Sequence, residues 1–275
     1  MKLIADSGST KTDWYLVDSS QVRVIQTQGY NPYYFTTAEM QQSLKEELLP
    51  ALEAPQIENL YFYGSGCSNE ITQGVVRAAL EPAFQQAQIH LGDDLLAAAR
   101  ATAGHEAGIC CILGTGTNSC YYDGTTISDK IPSLGYILGD EGAGVYLGKM
   151  LVQAYFYREM PEDLSTLMGK AFKMDKHVII STLLDGKNPN RYLAGFALFA
   201  VEHREHPFVQ ALIAQSFDDF LKRHVLKYPE AEKLPVHFVG SVAFGFKTEL
   251  QQRLEHYGLQ IGKVLKSPFP DLLEY

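Results

Sequence analysis

The chain is short of cations. Its 23 Lys and Arg stand against 32 Asp and Glu, a net charge of −9, and no stretch clusters Lys and Arg as nucleic acid or an anionic membrane demands. Neither nucleic acid nor a membrane is an expected partner. No apolar run approaches the roughly 20 residues of a membrane span. After one lysine the N-terminus enters strand-like sequence without the basic, apolar and small-residue zones of a signal peptide, so a cytoplasmic location is expected. Cysteine is also scarce. Cys67, Cys110, Cys111 and Cys120 lack C-x-x-C spacing, and they read as buried free thiols rather than metal ligands or disulfides. No G-x-x-x-x-G-K-[ST] run is present, which removes a Walker-type phosphate loop.

What is present suffices for two modest domains: 275 residues, 46% of them apolar, can furnish a core for each. The first third alternates strand and turn, through KLIADSG, TDWYLVD and VRVIQTQ, as an antiparallel meander would. A helix is predicted from about Thr36, where Thr36 and Glu39 have capping-box spacing and Met40, Leu44, Leu48 and Leu52 form an apolar stripe. The strand NLYFYGSG, the helix ITQGVVRAALEPAF, the strand AQIHLGD and the helix DLLAAARATA follow. Alternating strands and helices imply parallel pairing with helices packed on the sheet.

The linker GHEAG at 104–108 resets the pattern, so domains are expected at 1–104 and 105–275. ICCILGTGTNSCYYDG repeats the strand, glycine-rich turn and strand of the opening, with Asp6 to Thr10 set against Gly114 to Asn118, and long helices are predicted at about 142–158, 192–204 and 207–227. One such turn is commonplace. Two suggest a shared anion: glycine lets the backbone approach closely, and successive N–H groups in a tight turn make an anion-binding concavity.

Those two turns resemble the D-x-G-[ST]-T-K and G-T-G-[ST] motifs of the sugar kinase, heat-shock ATPase and actin superfamily. LGYILGDEGAGVYLG (134–148) resembles the G-W-G-x-x-x-G-D-E-G-S-G segment of N-acetylglucosamine kinases and BadF-type ATPases. VHFVGSVA (236–243) is similar to the strand and glycine turn that adjoin the adenosine in that group. The resemblance implies an α/β fold of two ribonuclease H-like (actin-like ATPase) domains, with mixed five-stranded sheets flanked by helices and a cleft between the domains. It implies ATP and Mg2+ as cofactors, an amino sugar as substrate, and ATP-dependent phosphorylation, N-acetylglucosamine first, with N-acetylmuramic acid and glucosamine as related possibilities. A homodimer is the expected assembly.

Phosphoryl transfer needs placement and charge compensation more than covalent help. Asp6, beside the first turn, is the expected Mg2+ partner through water, since that ion keeps much of its hydration. Gly8, Ser9, Thr10, Lys11, Thr115, Gly116, Gly240 and Ser241 are the expected phosphate and nucleotide contacts. Asp94 matches the family's general base. Its neighbour Asp93 competes for the role, and either acid could merely cap the helix that follows. Asn31, Thr115, Thr117, Asn118, Gly139 and Asp140 are the expected sugar contacts, because hydroxyls are gripped by acceptors fixed among glycines.

Two departures from the family pattern stand out. Leu134 replaces the usual tryptophan, altering the surface a sugar ring would stack on, and KSPFPDLLEY lacks the alanine-rich closing helix of many relatives. Two other functions share the motifs: an ATPase that activates a partner enzyme through an iron–sulfur cluster, which needs exposed thiolates, and a sugar or nucleotide sensor without turnover.

Overall fold

Three successive apolar residues in KLIADS, Leu3, Ile4 and Ala5, put apolar side chains on both faces of a strand that must therefore be covered on each side, and in the computed structural model it lies at the centre of a sheet. The structure describes residues 1–8, 11–18, 21–53, 56–186, 188–273 and 275. β1 (Lys2–Ser7), β2 (Lys11–Val17) and β3 (Val22–Gln28) form the antiparallel meander. On its other edge β1 pairs in parallel with β4 (Asn59–Gly64), and β4 with β5 (Gln88–Gly92), giving the order β3-β2-β1-β4-β5.

Helix α1 (Thr37–Ser43) begins at Thr36, whose hydroxyl accepts the Glu39 N–H while the Glu39 carboxylate accepts the Thr36 N–H. Reciprocal capping of this kind satisfies two otherwise orphaned donors. The stripe of Met40, Leu44, Leu48 and Leu52 is buried throughout, carried across a wide π-helical turn at Leu44–Leu48 into α2 (Leu49–Leu52). It packs with Trp14, Tyr30 and Phe62, and the Trp14 indole N–H, buried with them, donates to the Thr27 hydroxyl at 2.9 Å. α3 (Glu70–Leu80) and α4 (Asp94–Ala103) complete the first half.

The second sheet repeats the first. β6 (Gly108–Leu113), β7 (Thr117–Tyr122) and β8 (Ile127–Asp129) form a meander, and β9 (Val236–Val239) and β10 (Ile261–Leu265) add in parallel beside β6. The order β10-β9-β6-β7-β8, read from β8, is the succession of the first sheet. Between β8 and β9 run α5 (Gly135–Leu138), α6 (Gly144–Phe156), α7 (Glu162–Ala171), α8 (Lys176–Asp185), α9 (Pro189–Gly195), α10 (Ala197–Glu202) and α11 (Pro207–Arg223). α12 (Ser241–Gly245) and α13 (Lys247–His256) lie between β9 and β10. Leu147, Leu151, Phe199, Phe217, Phe220 and Phe238 are the large side chains of this core.

Several details differ from the sequence reading. The compact units are Met1–Ala97 with Phe269–Tyr275, and Ala98–Pro268, so the boundary falls inside α4 rather than at 104, and the chain's end returns to the first unit. The hairpins match two residues out of the expected register. Ser7 pairs with Thr12 and Leu113 with Thr117, which sets Gly8 against Gly114, leaves Asp6 inside its strand, and makes the second loop one residue tighter. Finally, α6 starts at Gly144, not 142, because Asp140 and Gly142 have φ of 59° and 78°, outside the right-handed helical region. The helix expected at 192–204 is two, α9 and α10, meeting at Phe196, and α7, α8 and α13 were not anticipated.

Candidate active site

In the first unit the end of β1 and the start of α4 bring acids together. Asp93 Oδ1 accepts the Leu96 N–H at 2.9 Å, the bond of a helix N-cap. Capping therefore falls to Asp93, and Asp94 is the first helical residue, its Oδ2 accepting the Ser65 hydroxyl at 3.2 Å. Ser65 is tied to β1 in turn, its N–H donating to the Ser7 carbonyl at 2.9 Å. The Asp6 carboxyl is pushed up to about 6, first by burial, then by the negative charges of Asp94 and Asp13, with Lys11 opposing them. Lys11 Nζ lies 2.6 Å from Asp13 Oδ2, and the Gln26 amide donates to Asp13 Oδ1 at 2.7 Å.

A half-buried carboxyl facing two further acids is a place where a divalent cation relieves repulsion. Among the described residues no three His, Cys, Asp or Glu side chains form a direct metal cage. The donor set suits an ion that takes one or two carboxylates and keeps its water, and Mg2+ fits on that ground.

Ser9 and Thr10 lie outside the described residues. Gly8 donates its N–H to the Lys11 carbonyl at 2.9 Å, closing the turn. Asn31 is buried and shapes a turn of its own: its Oδ1 accepts the Tyr33 N–H at 3.0 Å, and a side chain at Gly66 would come within 2.8 Å of that oxygen. Gly66 has φ +86°, so the lack of a side chain there serves both the backbone and Asn31.

In the second unit three separate segments converge on the turn at Gly114–Gly116. The N–H groups of Gly144 and Val145, opening α6, donate to the carbonyls of Gly114 and Thr115 at 2.9 and 3.1 Å. Asp140 is buried, and its Oδ1 accepts the Thr117 N–H at 2.9 Å and the Ser133 hydroxyl at 3.1 Å. A Cβ at Gly116 would lie 3.0 Å from that same oxygen. Burial raises the Asp140 carboxyl above its ordinary range, against those two hydrogen bonds. Gly240 arrives from β9, where a Cβ would sit 2.3 Å from the Leu113 carbonyl oxygen and 3.0 Å from the Gly114 nitrogen, with φ at +130°. Ser241 follows it as the first residue of α12.

Gly240→Ala therefore meets both a forbidden backbone region and the hairpin it supports. It is expected to destabilise the protein by about 2 kcal/mol or more. Gly245→Ala, where nothing stands within 4 Å, is the silent control. Equal thermal denaturation midpoints for the two variants would contradict this.

Thus Thr115, Gly116, Thr117, Gly139, Asp140, Gly240 and Ser241 share one neighbourhood of the second unit. Asn118 does not share the Thr117 face. It alternates with Thr117 and Ser119 along β7 and so faces the other side of the sheet, its Oδ1 accepting the Ser119 N–H at 3.2 Å. Leu134, in the tryptophan position, is 61% exposed. All four cysteines are free and buried. Ser65, Ser133, Arg223 and His224 surround the expected residues but carry no local motif. Only the fold brings them there.

Two sheets of the same mixed five-stranded succession, each with flanking helices and a glycine turn in its first hairpin, are the actin-like ATPase fold. A solved structure of a candidate N-acetylglucosamine kinase from Porphyromonas gingivalis is 40% identical over 100% of this chain and 98% of its own, with a TM-score of 0.93. The protein belongs to the N-acetylglucosamine kinase family within the actin-like ATPase superfamily. A candidate N-acetylglucosamine kinase from Chromobacterium violaceum matches at 19% identity over 99% of this chain and 97% of its own, TM-score 0.72. A non-polymerising MamK variant bound to AMPPNP matches at 13% over 98% and 95%, TM-score 0.54. These last two show the fold. No protein-family model and no curated protein matches the chain. Among the described residues no helix is long and apolar enough to cross a membrane.

Proposed function

We propose that this protein transfers the γ-phosphoryl group of ATP to a hydroxyl of an amino sugar, N-acetylglucosamine first. The single observation that carries the reading is the full-length relationship to a candidate N-acetylglucosamine kinase. The residues fit the chemistry. Gly8, Lys11, Gly116, Gly240 and Ser241 offer backbone donors, a cation and close approach for phosphates. Asp6 would hold Mg2+, which when bound neutralises phosphate charge. Asp94 takes the proton of the attacking hydroxyl, and Asp140 accepts hydrogen bonds from other hydroxyls of the sugar, with Thr115, Thr117 and the Gly139 backbone beside it in the second unit; Asn31 of the first unit is a further sugar contact in this assignment, and Asn118, on the opposite face of β7, drops out of it.

Purified protein with ATP and Mg2+ should release ADP in the presence of N-acetylglucosamine, within a panel that includes N-acetylmuramic acid and glucosamine. If no sugar in the panel is phosphorylated while the nucleotide still binds, the kinase reading is wrong.

A further inference from the structure

Asp140 is set in place partly by residues that would not touch a sugar. Asp140 has φ +59°, a left-handed conformation that strains a side-chain-bearing residue and persists only where the surroundings over-determine it. Thr117 supplies part of that constraint, its N–H on the Asp140 carboxylate and its hydroxyl on the Glu141 carbonyl.

The rest comes from α11. Glu141 is 3% exposed. Its Oε1 lies 2.6 Å from Arg223 Nη1, and its Oε2 lies 3.6 Å from His224 Nε2 and close to the Gly139 backbone, where a Cβ would come within 3.5 Å of it. His224 is itself held. Its Nδ1 is 3.2 Å from Ser119 Oγ, which is 2.9 Å from the Tyr228 hydroxyl, which accepts the Ile131 N–H at 2.8 Å. One proton order satisfies the chain: Tyr228 donates to Ser119, Ser119 to Nδ1, and the Nε2 proton points to Glu141. Burial holds the imidazole below its ordinary pKa, against the pull of Glu141, in keeping with that neutral form. Phe220 stacks on His224, ring centroids 5.2 Å apart, and fills the space where Gly142 would carry a Cβ, 2.8 Å away. One turn of helix thus grips the residues on both sides of Asp140.

We infer that Arg223 and His224 are positioning residues, acting through the buried Glu141 carboxylate to hold Asp140 in its left-handed conformation for the sugar; this rests on Asp140 being a sugar ligand. An ion pair that served only the fold would leave a different trace. The Arg223 side chain is 60% exposed, so its removal opens no core cavity, and the consequence falls on the 139–142 segment.

Steady-state kinetics with ATP and N-acetylglucosamine on Arg223→Ala, Arg223→Lys, Glu141→Gln and the double variant Glu141→Gln/Arg223→Ala, with melting temperatures alongside, test this. Arg223→Ala should raise the sugar KM about tenfold or more, with kcat within about threefold and the ATP KM within about twofold. Arg223→Lys should recover part of the loss. The double variant should lose no more than the worse single one, because both act through one contact. An unchanged sugar KM in a folded Arg223→Ala protein overturns the inference, as does a parallel loss in kcat and ATP KM. Should the alanine variant not fold, Arg223→Gln is put to the same measurement with the same two outcomes. An unaltered protein that phosphorylates no sugar overturns the kinase reading and this inference together. An active unaltered protein matched by Arg223→Ala overturns the inference alone.

Discussion

Asp94→Asn is expected to lower kcat by a factor on the order of 10² to 10⁴ while leaving the fold and sugar binding in place, the range typical of losing a positioned general base. Asparagine has nearly the same shape and can still accept the Ser65 hydroxyl now at 3.2 Å, so the geometry survives and the basicity does not. The stability cost should be small, about 0.3–1 kcal/mol from a lost negative charge at a helix N-terminus. Asp93→Asn separates the two acids. Asp93 accepts the Leu96 N–H as the helix cap, and asparagine caps as well as aspartate, so turnover should be unchanged. A second readout does not depend on turnover: Asp94 is the largest charge raising the Asp6 carboxyl, and Asp94→Asn should lower the Asp6 pKa observed by NMR. Loss of turnover in Asp93→Asn with retention in Asp94→Asn would reverse the assignment.

That pair of acids shows where the sequence stops being informative. DLLAAARATA is visibly a helix, and it spans Asp94–Ala103 as read, but which of two adjacent acids caps it depends on helix phase to within one residue. The first sheet was legible because its strands are short and bounded by turn residues, and the repeated hairpin disclosed the start of the second; β8, only Ile-Ser-Asp, and β10 carried too little pattern to be read. The hairpin register was not legible, since the loops differ in length and the ladder pairs Asp6 with Asp13 inside the strands. α8 carried a usable signal, with Asp175 accepting the N–H groups of His177 and Val178. α7 carried less, beginning at Pro161 without a side-chain cap. The Glu141 brace was beyond reach: Arg223 stands 82 residues along the chain from it, in a helix whose last turn reads like any other. The boundary inside α4 left no mark in composition, because a continuous helix needs no linker.

Asp6→Asn is expected to stabilise the protein above about pH 6 and to abolish its response to Mg2+. The Asp6 carboxyl is raised from 3.8 to about 6 in the folded protein, by burial first and then by Asp94 and Asp13. A folded-state pKa above the unfolded value means that the folded chain binds the proton more tightly. The associated stability is fully present below pH 3.8 and is lost as pH rises through about 6. At pH 8 the ionised, half-buried carboxylate therefore costs the fold at most about 3 kcal/mol. Asparagine carries no charge to desolvate and none to repel Asp94 and Asp13, so its melting temperature at pH 8 should exceed that of the unaltered protein by several degrees and vary less between pH 4 and 6. Added Mg2+ should close the gap from the other side, stabilising the unaltered protein by mass action and the variant hardly at all. On the proposed kinase reading, the gain in stability should come with loss of phosphoryl transfer, as expected where a destabilising charge is kept for its function. A variant less stable than the unaltered protein at pH 8 without metal, or one that gains as much from Mg2+, would show that the charge at Asp6 is compensated within the fold and that the ion is held elsewhere.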